Sequence, residues 1–457
     1  MNIVLISTYE LGRQPFGLAS PAAWLKNRGH SVACLDLSRQ TLDEAAIGAA
    51  DGIGFYVPMH TATRLALQLV EPLRRLNPRA AICAYGLYAP LAAESFRKAG
   101  VDALFGGEFE EGLVQWADQV AAAPETAHRA AAQSGRLISL ARQRFELPDR
   151  SGLVSLRNYA HLVLPSGEHR TVGYTEASRG CKHRCRHCPI VPVYNGVFRI
   201  VEREIVLADI RQQVAAGAQH ITFGDPDFFN GIGHAMAIVE TLHREFPPLT
   251  YDATIKVEHL KKHEKHLSDL RDTGCVFVTS AVESLDDEVL LKLDKGHTRA
   301  DFLYVAEKFR ELELTLQPTF VPFTPWTTLE SYLDLLQTLN ELDLNEAVAP
   351  IQLGIRLLIP AGSRLLELDE VKEIVGPFEE EALVYPWRHS DERVDQLCEE
   401  VQDIVASGEK MKRSRTATFE RIWQAAQEAA GVSERPNAFF DLPSRATVPY
   451  LNEPWYC

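Results

Sequence analysis

The feature that most constrains the fold of this chain is a repeated alternation of short apolar runs with helical segments. It runs through residues 1–125 and starts again at residue 171, continuing to residue 360. Strands separated by helices of about 10–15 residues form parallel sheets, because each helix carries the chain back to the start of the next strand. We therefore predict an α/β protein with two parallel-sheet domains.

The first alternation predicts a Rossmann-like, doubly wound sheet with helices on both faces. Its proposed strands are "NIVLIS", "SVACLDL", "GIGFYVP", "AAICAYG" and "VDALFGG". Ligands of such sheets bind beyond the carboxyl ends of the strands. The first of these ends carries a long segment, "STYELGRQPFG", which either closes over a ligand or is an ordinary loop.

The second alternation predicts a partial (β/α)6 barrel, because it contains six strand–helix units and not the eight of a closed barrel. The proposed strands are "TVGYTEAS", "HITFGD", "LTYDATI", "CVFVTSAVES", "LTLQPTFVP" and "APIQLGIRLLIP". A partial barrel has an open side, which can admit a bulky substrate.

The other segments are predicted to connect or cover these two domains. Residues 126–170 are interpreted as a linker and bridge, residues 361–430 as a helical region and residues 431–457 as an irregular tail. The tail is rich in aromatic residues, whereas disordered tails usually lack them. We therefore expect it to pack back onto the body of the protein.

Composition disfavours several classes of partner. The formal net charge of −15 repels phosphate groups, so neither a nucleic acid nor an anionic membrane is an expected partner. No uninterrupted apolar stretch approaches about 18 residues, and the first residues do not resemble a signal peptide. Eight cysteines are too few for a disulfide scaffold in a chain of 457 residues. We predict a soluble, cytoplasmic protein.

Three of the cysteines, Cys181, Cys185 and Cys188, lie together in "RGCKHRCRHCP". They could bind zinc with His183 or His187 as the fourth ligand. They could instead hold a cluster of four irons, which normally takes four thiolates, so that one iron keeps an open coordination site. An open site on a reducible cluster can bind a small chelating molecule. The loop follows the first barrel strand, at the carboxyl end where such barrels have their active sites.

Four cationic side chains surround these cysteines. They are Arg179, Lys182, Arg184 and Arg186. Beside an anionic cluster they would ease reduction and help to hold an anionic ligand, although solvated surface positions explain them equally well.

The Cys-x3-Cys-x2-Cys spacing on the first strand of such a barrel resembles the radical SAM superfamily, over roughly residues 171–360. In that family S-adenosylmethionine (SAM) chelates the free iron of a [4Fe–4S] cluster, and its reductive cleavage yields a 5′-deoxyadenosyl radical. The resemblance implies an enzyme that acts on a small-molecule substrate. It also implies an electron donor such as flavodoxin or ferredoxin.

The resemblance further implies SAM-binding positions at the ends of other barrel strands. These are Gly224, Asp225 and Asp227 for the amino group, Glu283 and Ser284 for the ribose hydroxyls, Arg356 for the carboxylate and His187 for the adenine. The family usually has an aromatic residue where His187 stands. Helix N-capping by Asp225 or Asp227 and ordinary barrel packing are the alternatives.

The first domain resembles the cobalamin-binding domain that precedes many radical SAM domains. The matching segments are "PFGLASPAAWLKNRGHSVACLDL" and "AGVDALFGGEFE". No Asp-x-His-x-x-Gly is present, so the resemblance does not imply a lower-ligand histidine. Cobalamin is a candidate cofactor, and with it methyl transfer to an unactivated carbon is the leading reaction.

The tail resembles that of a radical SAM group named for a carboxyl-terminal Cys-Cys-Ala-Glu-Pro or Cys-selenocysteine-Ala-Glu-Pro. The sequence "NEPWYC" stops at Cys457, the first of those positions. We expect a natural selenoprotein that continues past Cys457; the alternative is a chain that ends there. A thiol on this tail suggests a catalytic role, by binding a soft metalloid, donating hydrogen or forming a redox pair.

The reaction itself stays open. Without cobalamin, C–S cleavage of SAM with alkyl transfer to a soft atom is an alternative to radical modification. A hypothesis of another class is an iron–sulfur or metalloid sensor that never turns SAM over.

Overall fold

The computed structural model describes residues 1–122, 137–432 and 448–453. The first domain is built on a sheet of six parallel strands in the order β2-β1-β3-β4-β5-β6. These strands are β1 (Asn2–Ser7), β2 (Ser31–Asp36), β3 (Gly52–Tyr56), β4 (Ala81–Tyr85), β5 (Ala103–Gly107) and β6 (Ile138–Ser139). The predicted Rossmann-like sheet is confirmed.

Helices cover both faces of this sheet. They are Phe16–Asn27, Glu44–Gly48, His60–Leu76, Ala93–Lys98 and Glu110–Ala122. Successive residues of β1 show why both faces must be covered: Ile3 and Leu5 pack into one buried apolar cluster, and Val4 and Ile6 into another. A strand buried on both sides is apolar throughout, which is why the sequence shows continuous apolar runs here.

The second sheet has seven strands in the order β14-β13-β12-β11-β8-β7-β15. They are β7 (His161–Val163), β8 (His169–Thr175), β11 (His220–Phe223), β12 (Thr250–Thr254), β13 (Cys275–Glu283), β14 (Thr315–Phe320) and β15 (Tyr450–Leu451). The five strands from β8 to β14 are parallel, and β7 and β15 add antiparallel pairs at the edge. A separate ribbon pairs β9 (Ser178–Gly180) with β10 (Phe198–Ile200).

Helices surround the outer face of this half-barrel and continue beyond it. Those of the barrel are Val191–Tyr194, Arg203–Ala215, Ile232–Glu245, Val257–Lys262, Leu267–Asp272, Asp287–Leu293, Arg299–Glu311 and Leu329–Glu341. Those that follow are Asp369–Ile374, Glu392–Lys410 and Arg415–Ala430. The apolar faces of most of these helices share one large buried core with the outward-facing residues of the barrel strands, while Asp287–Leu293 and Asp369–Ile374 pack in a separate apolar cluster.

The sixth predicted barrel strand differs from the structure. Pro350–Leu353 form a 3-10 turn, and the only strand-like contact of this segment is a single parallel bridge between Phe323 and Arg356. Pro350 has no N–H to donate to a neighbouring strand, which favours a helical turn at this point. The described barrel sheet therefore has five parallel strands and this bridge.

The connecting segment and the tail both add strands to the sheets. Residues 137–170 supply β6 to the first sheet, and β7 with the first residues of β8 to the barrel. The described part of the tail packs back onto the barrel, as predicted, because β15 pairs with β7. Cys457 lies outside the described residues. Within the described ranges, no helix is long and apolar enough to span a bilayer.

Candidate active site

The three-cysteine loop starts directly after β9, near the carboxyl ends of the barrel strands. Gly180 turns the chain into this loop with φ of +73°, and a Cβ there would lie 2.4 Å from the Tyr194 ring, so only glycine fits. Cys181 and Cys185 are buried, and Cys188 is half-buried. The loop therefore holds its three thiols in a sheltered position.

The three thiols lie close enough to affect one another. Burial raises the pKa of Cys188 to about 12, and the neighbouring Cys185 and Cys181 contribute to that rise. Burial also raises the pKa of Cys181. Thiolates form in such a place only when a metal or a cation stabilises the negative charge.

Two buried lysines supply positive charge beside the thiols. Lys256 lies two residues after the end of β12, and its Nζ lies 3.5 Å from Cys185 Sγ and donates to the Lys295 carbonyl at 2.8 Å. Lys295 lies two residues after the end of helix Asp287–Leu293, and its charge interacts favourably with Cys185 and Cys188. Sequence reasoning overlooked Lys256, although a charged residue immediately after a barrel strand is a signal for this end of the barrel.

Arg179 lies elsewhere than the sequence suggested. Its buried guanidinium forms hydrogen bonds with Glu110 at 2.7 and 2.9 Å and with Glu176 at 2.7 Å, and it lies 3.5 Å from Glu108. Glu108 and Glu110 belong to the first domain. Arg179 therefore joins the barrel to the first domain and is not free to hold an anionic ligand beside a cluster.

Two other cations of the motif also have protein partners. The Nη1 of Arg186 donates to carbonyls at the carboxyl end of helix Asp287–Leu293. Lys182 Nζ lies 4.9 Å from the centre of the Phe198 ring. The buried positive charge beside the thiols thus comes from Lys256 and Lys295.

The predicted ribose and adenine positions do come together. Glu283 ends β13, and its Oε1 lies 3.1 Å from His187 Nε2 and 3.2 Å from Lys295 Nζ. The charge of Lys295 and the hydrogen bond with His187 hold the pKa of Glu283 well below its usual range although burial opposes this. Its φ of +70° is a strained value for glutamate, of the kind that concentrates at functional sites. Ser284 follows, half-buried, and its Oγ accepts from the Asp286 amide.

Gly224 and Asp225 shape the loop after β11. A Cβ at Gly224 would lie 1.9 Å from the Tyr174 hydroxyl, so no larger residue fits. The Asp225 carboxylate accepts from the Ala177 amide at 2.9 Å and from the Ser178 hydroxyl at 2.5 Å. Burial raises its pKa to about 7. Asp225 therefore fixes the turn that leads into the cysteine loop, and its role toward SAM stays a prediction.

Asp227 caps the turn Phe228–Gly231, which is the alternative that the sequence left open. Its Oδ1 accepts from the Phe229 amide at 3.2 Å. Burial alone would raise the pKa of Asp227, but the imidazoles of His183 and His259 beside its other oxygen lower it to about 2. A role of Asp227 toward SAM also stays a prediction.

Arg356 lies away from the residues described so far. Its guanidinium donates to Asp395 at 2.7 Å and to the Trp387 carbonyl at 2.8 Å, and it stacks 3.6 Å from the centre of the Trp387 ring. To bind the SAM carboxylate, as predicted, Arg356 would have to leave these partners.

Two cavities lie near this end of the barrel. The larger, about 340 Å³, lies between the two domains and is lined by residues that include Glu10, Tyr56, Gly86, Phe109, Tyr174, Glu176, Gly180, Ile190 and Asp225. The smaller, about 150 Å³, lies inside the barrel and is lined by residues that include Arg13, Thr222, Asp252, Thr279, Gln317, Tyr450 and Glu453. The larger cavity is therefore lined by residues at the strand ends of both sheets.

The donor set fits a cluster with three protein ligands. Four other cysteines lie in the described ranges, and none is near the loop: Cys34 and Cys83 are in the first sheet, Cys275 begins β13 at the opposite end of the barrel, and Cys398 is in helix Glu392–Lys410. The three loop thiols can ligate three irons of a cluster that lacks a fourth thiolate. The two buried lysines place positive charge beside this anionic group.

Residues 175–338 match the Radical SAM superfamily. This part of the chain is a radical SAM domain. The domain implies an enzyme with a [4Fe–4S] cluster and SAM as cofactors, which favours the cluster over zinc on the three cysteines.

Solved structures share the fold across both domains. The radical SAM methyltransferase TsrM from Kitasatospora setae, determined with its tryptophan substrate and a SAM analog, is 17% identical with a TM-score of 0.62, over 81% of this chain and 76% of that one. The cobalamin-dependent SAM radical enzyme OxsB, with aqua-cobalamin and SAM bound, is 15% identical with a TM-score of 0.63, over 89% of this chain and 66% of that one.

Curated relatives match a smaller part. The tRNA methylthiotransferase MtaB of Bacillus subtilis is 26% identical over 35% of this chain and 32% of its own length. A tRNA-2-methylthio-N(6)-dimethylallyladenosine synthase of Caldicellulosiruptor saccharolyticus is 22% identical over 52% of this chain and 53% of its own length. The chain thus spans from about a third to about half of the length of these relatives.

Proposed function

We propose that this protein is a radical SAM enzyme that modifies a small molecule held between its two domains. The observation that carries the proposal is the set of three sheltered thiols with two buried lysines beside the interdomain cavity. Gly180 and Ile190, on either side of the cysteine loop, line that cavity. An active site at the carboxyl ends of barrel strands is the usual arrangement in such folds.

Each group of side chains has a defined task in this proposal. Cys181, Cys185 and Cys188 hold the cluster, which when bound supplies an electron for the cleavage of SAM. Lys256 and Lys295 balance the negative charge of the thiolates. Glu283, fixed by Lys295, presents a carboxylate for ribose hydroxyls.

The cavity favours a small polar substrate. Its volume of about 340 Å³ suits a drug-sized molecule. Glu10 lines it, is 5% exposed, and has no hydrogen-bond partner for its Oε2 atom. A buried carboxyl without a partner is costly, so a substrate group that donates hydrogen bonds to Glu10 would be favoured there.

Cobalamin-dependent methyl transfer is the second candidate. It is favoured by the similarity to TsrM and OxsB, which extends over both domains. No histidine of the described ranges lines the interdomain cavity, so this candidate uses no imidazole ligand from the first domain. A corrin with its nucleotide tail is also larger than a drug-sized ligand, so the two domains would have to move apart to admit it.

We assign a catalytic role to Cys457 because the described part of the tail, which precedes it, lies at the barrel. Glu453 lines the cavity inside the barrel, and Cys457 is four positions further along the chain. A thiol there, or a selenol directly after it, is close enough in sequence to act on the substrate. Replacement of Cys457 by alanine should then abolish turnover while SAM cleavage persists.

The test is anaerobic reconstitution with iron and sulfide, followed by a strong reductant and SAM, with and without added cobalamin. Formation of 5′-deoxyadenosine that is lost in Cys188→Ala supports the radical SAM enzyme. S-adenosylhomocysteine that forms only with cobalamin supports methyl transfer. Tight SAM binding without either product would contradict both and favour the sensor hypothesis.

A further inference from the structure

A group of buried side chains lies next to the cysteine loop, and of these only Asp227 has a predicted contact with SAM. Asp227 Oδ2 lies 2.7 Å from His259 Nδ1 and 3.3 Å from His183 Nε2. The three side chains come from separate elements: the cysteine loop, the loop after β11 and helix Val257–Lys262. Three ligand-type atoms therefore converge on one point.

These contacts bring both imidazoles against one carboxylate oxygen, but their angles are poor for hydrogen bonds. His183 Nε2, His259 Nδ1 and Asp227 Oδ2 are all fully buried, and each has only these contacts with the others. A buried polar atom whose hydrogen bond is poorly formed is costly. Three buried ligand-type atoms that meet in this way point to a common partner.

Protein groups also face the opposite atoms of two of these side chains. His183 Nδ1 lies 3.4 Å from Glu258 Oε2, and Asp227 Oδ1 accepts from the Phe229 amide. Metal-binding histidines are usually oriented in this way, by a carboxylate at the second ring nitrogen. The arrangement leaves one ring nitrogen and one carboxylate oxygen directed toward the shared point.

We propose that His183, Asp227 and His259 bind a divalent transition-metal ion, Zn²⁺ or Fe²⁺, beside the cluster loop. Two imidazoles and one carboxylate suit these ions, whereas Mg²⁺ and Ca²⁺ require mostly oxygen ligands. Cys181 Sγ lies within 4.8 Å of the ligand atoms of His183 and Asp227, so the ion and the cluster would be neighbours.

The site would fasten the cluster loop to the barrel. His183 stands between Cys181 and Cys185 in the sequence, while Asp227 and His259 belong to the barrel wall. An ion that joins them would fix the loop before a cluster is assembled. It would also place positive charge beside an anionic cluster.

The experiment counts metal and sulfide in the full-length protein after anaerobic reconstitution in the presence of Zn²⁺. A [4Fe–4S] cluster contributes equal amounts of iron and sulfide, about four of each. We expect one metal ion per chain beyond the sulfide count. His259→Ala should lose that ion and retain the sulfide, whereas the neighbouring His263→Ala should retain both.

X-ray absorption at the zinc edge identifies the ligands of the extra ion. A shell of nitrogen and oxygen at about 2.0–2.1 Å supports the proposal, whereas sulfur at about 2.3 Å would place zinc on the cysteines and overturn it. Equal metal and sulfide counts in the wild-type protein would also overturn it. If the reconstituted protein contained no sulfide, the cluster would be contradicted, but the zinc content would still test the metal site.

Discussion

The two sheets of this protein are both parallel, yet they use their faces differently. In the first sheet, β3 and β4 are buried at every position and apolar on both sides. In the half-barrel, residues alternate: Ile221, Tyr251 and Leu316 pack outward into the core, while Thr222, Asp252 and Gln317 line the cavity inside. The first sheet can bind a ligand only beyond its strand ends, whereas the barrel also offers an inner face.

The largest expected difference between the two sheet domains comes from replacing one cysteine by alanine in each. Cys185→Ala should abolish cluster assembly and turnover, because one of three thiol ligands is lost. Cys83→Ala, in the first sheet, should lower stability by about 1–2 kcal/mol and leave the cluster intact. Iron, sulfide and SAM cleavage are measured for both. A cluster of full iron content in Cys185→Ala would contradict the assignment of the ligands.

A large loss of stability is expected where the two domains meet. Arg179→Gln leaves Glu110 and its neighbouring carboxylates buried without their cation, at a cost of about 3–5 kcal/mol. Arg211→Gln is the control, because the pair with Glu245 is exposed and contributes less than about 0.5 kcal/mol. Urea unfolding measures both. Equal midpoints would show that the network does not stabilise the interface.

Glu108 should make the first domain sensitive to pH. Burial raises its pKa from 4.5 to about 7. Between these values the folded state keeps a proton that the unfolded state loses, so the free energy of unfolding falls as pH rises from 4.5 to about 7. Glu108→Gln should remove up to about 3 kcal/mol of that fall.

The measurement for Glu108 is urea unfolding at several pH values across that window. Glu111→Gln, an exposed position in the first turn of the helix that follows Glu108, is the control and should follow the wild-type profile. A Glu108→Gln profile as steep as that of the wild type would refute the assignment.

The smallest effect tests packing on the two sheets. A Cβ at Gly54 would lie 3.0 Å from Leu5 and 3.1 Å from Tyr85, so Gly54→Ala should cost about 1–2 kcal/mol. Thr279→Val faces the cavity inside the barrel and should change stability by less than about 0.5 kcal/mol. Thermal unfolding of both variants measures the difference, and a reversed order would mean that the barrel interior is tightly packed.

The sequence predicted what depends on periodicity and local spacing. Both sheets follow from apolar runs, and the three cysteines stood out because they lie close together in the chain. Lys256 and His259 were not predicted, because their meeting with Cys185 and Asp227 depends on how β11 and β12 align in the barrel. The role of Arg179 depends on the first domain, which a local motif does not report.

The sixth strand shows a different limit. Its apolar residues are equally compatible with a buried strand and with a buried turn, because burial selects hydrophobic side chains in either conformation. Pro350 was the local sign of a turn. The strained backbone of Glu283 could not have been foreseen at all, since nothing in its neighbours along the chain requires a positive φ.

The pairing of β15 with β7 has a mechanical consequence. Tyr450 and Leu451 of this short strand pair with β7 of the barrel. Two residues further along, Glu453 forms an ion pair at 2.8 Å with Arg13 of the first domain. A hinge motion that separates the two domains would stretch this ion pair directly. The tail therefore restrains the separation of the two domains, because a wide hinge opening requires the ion pair between Arg13 and Glu453 to break.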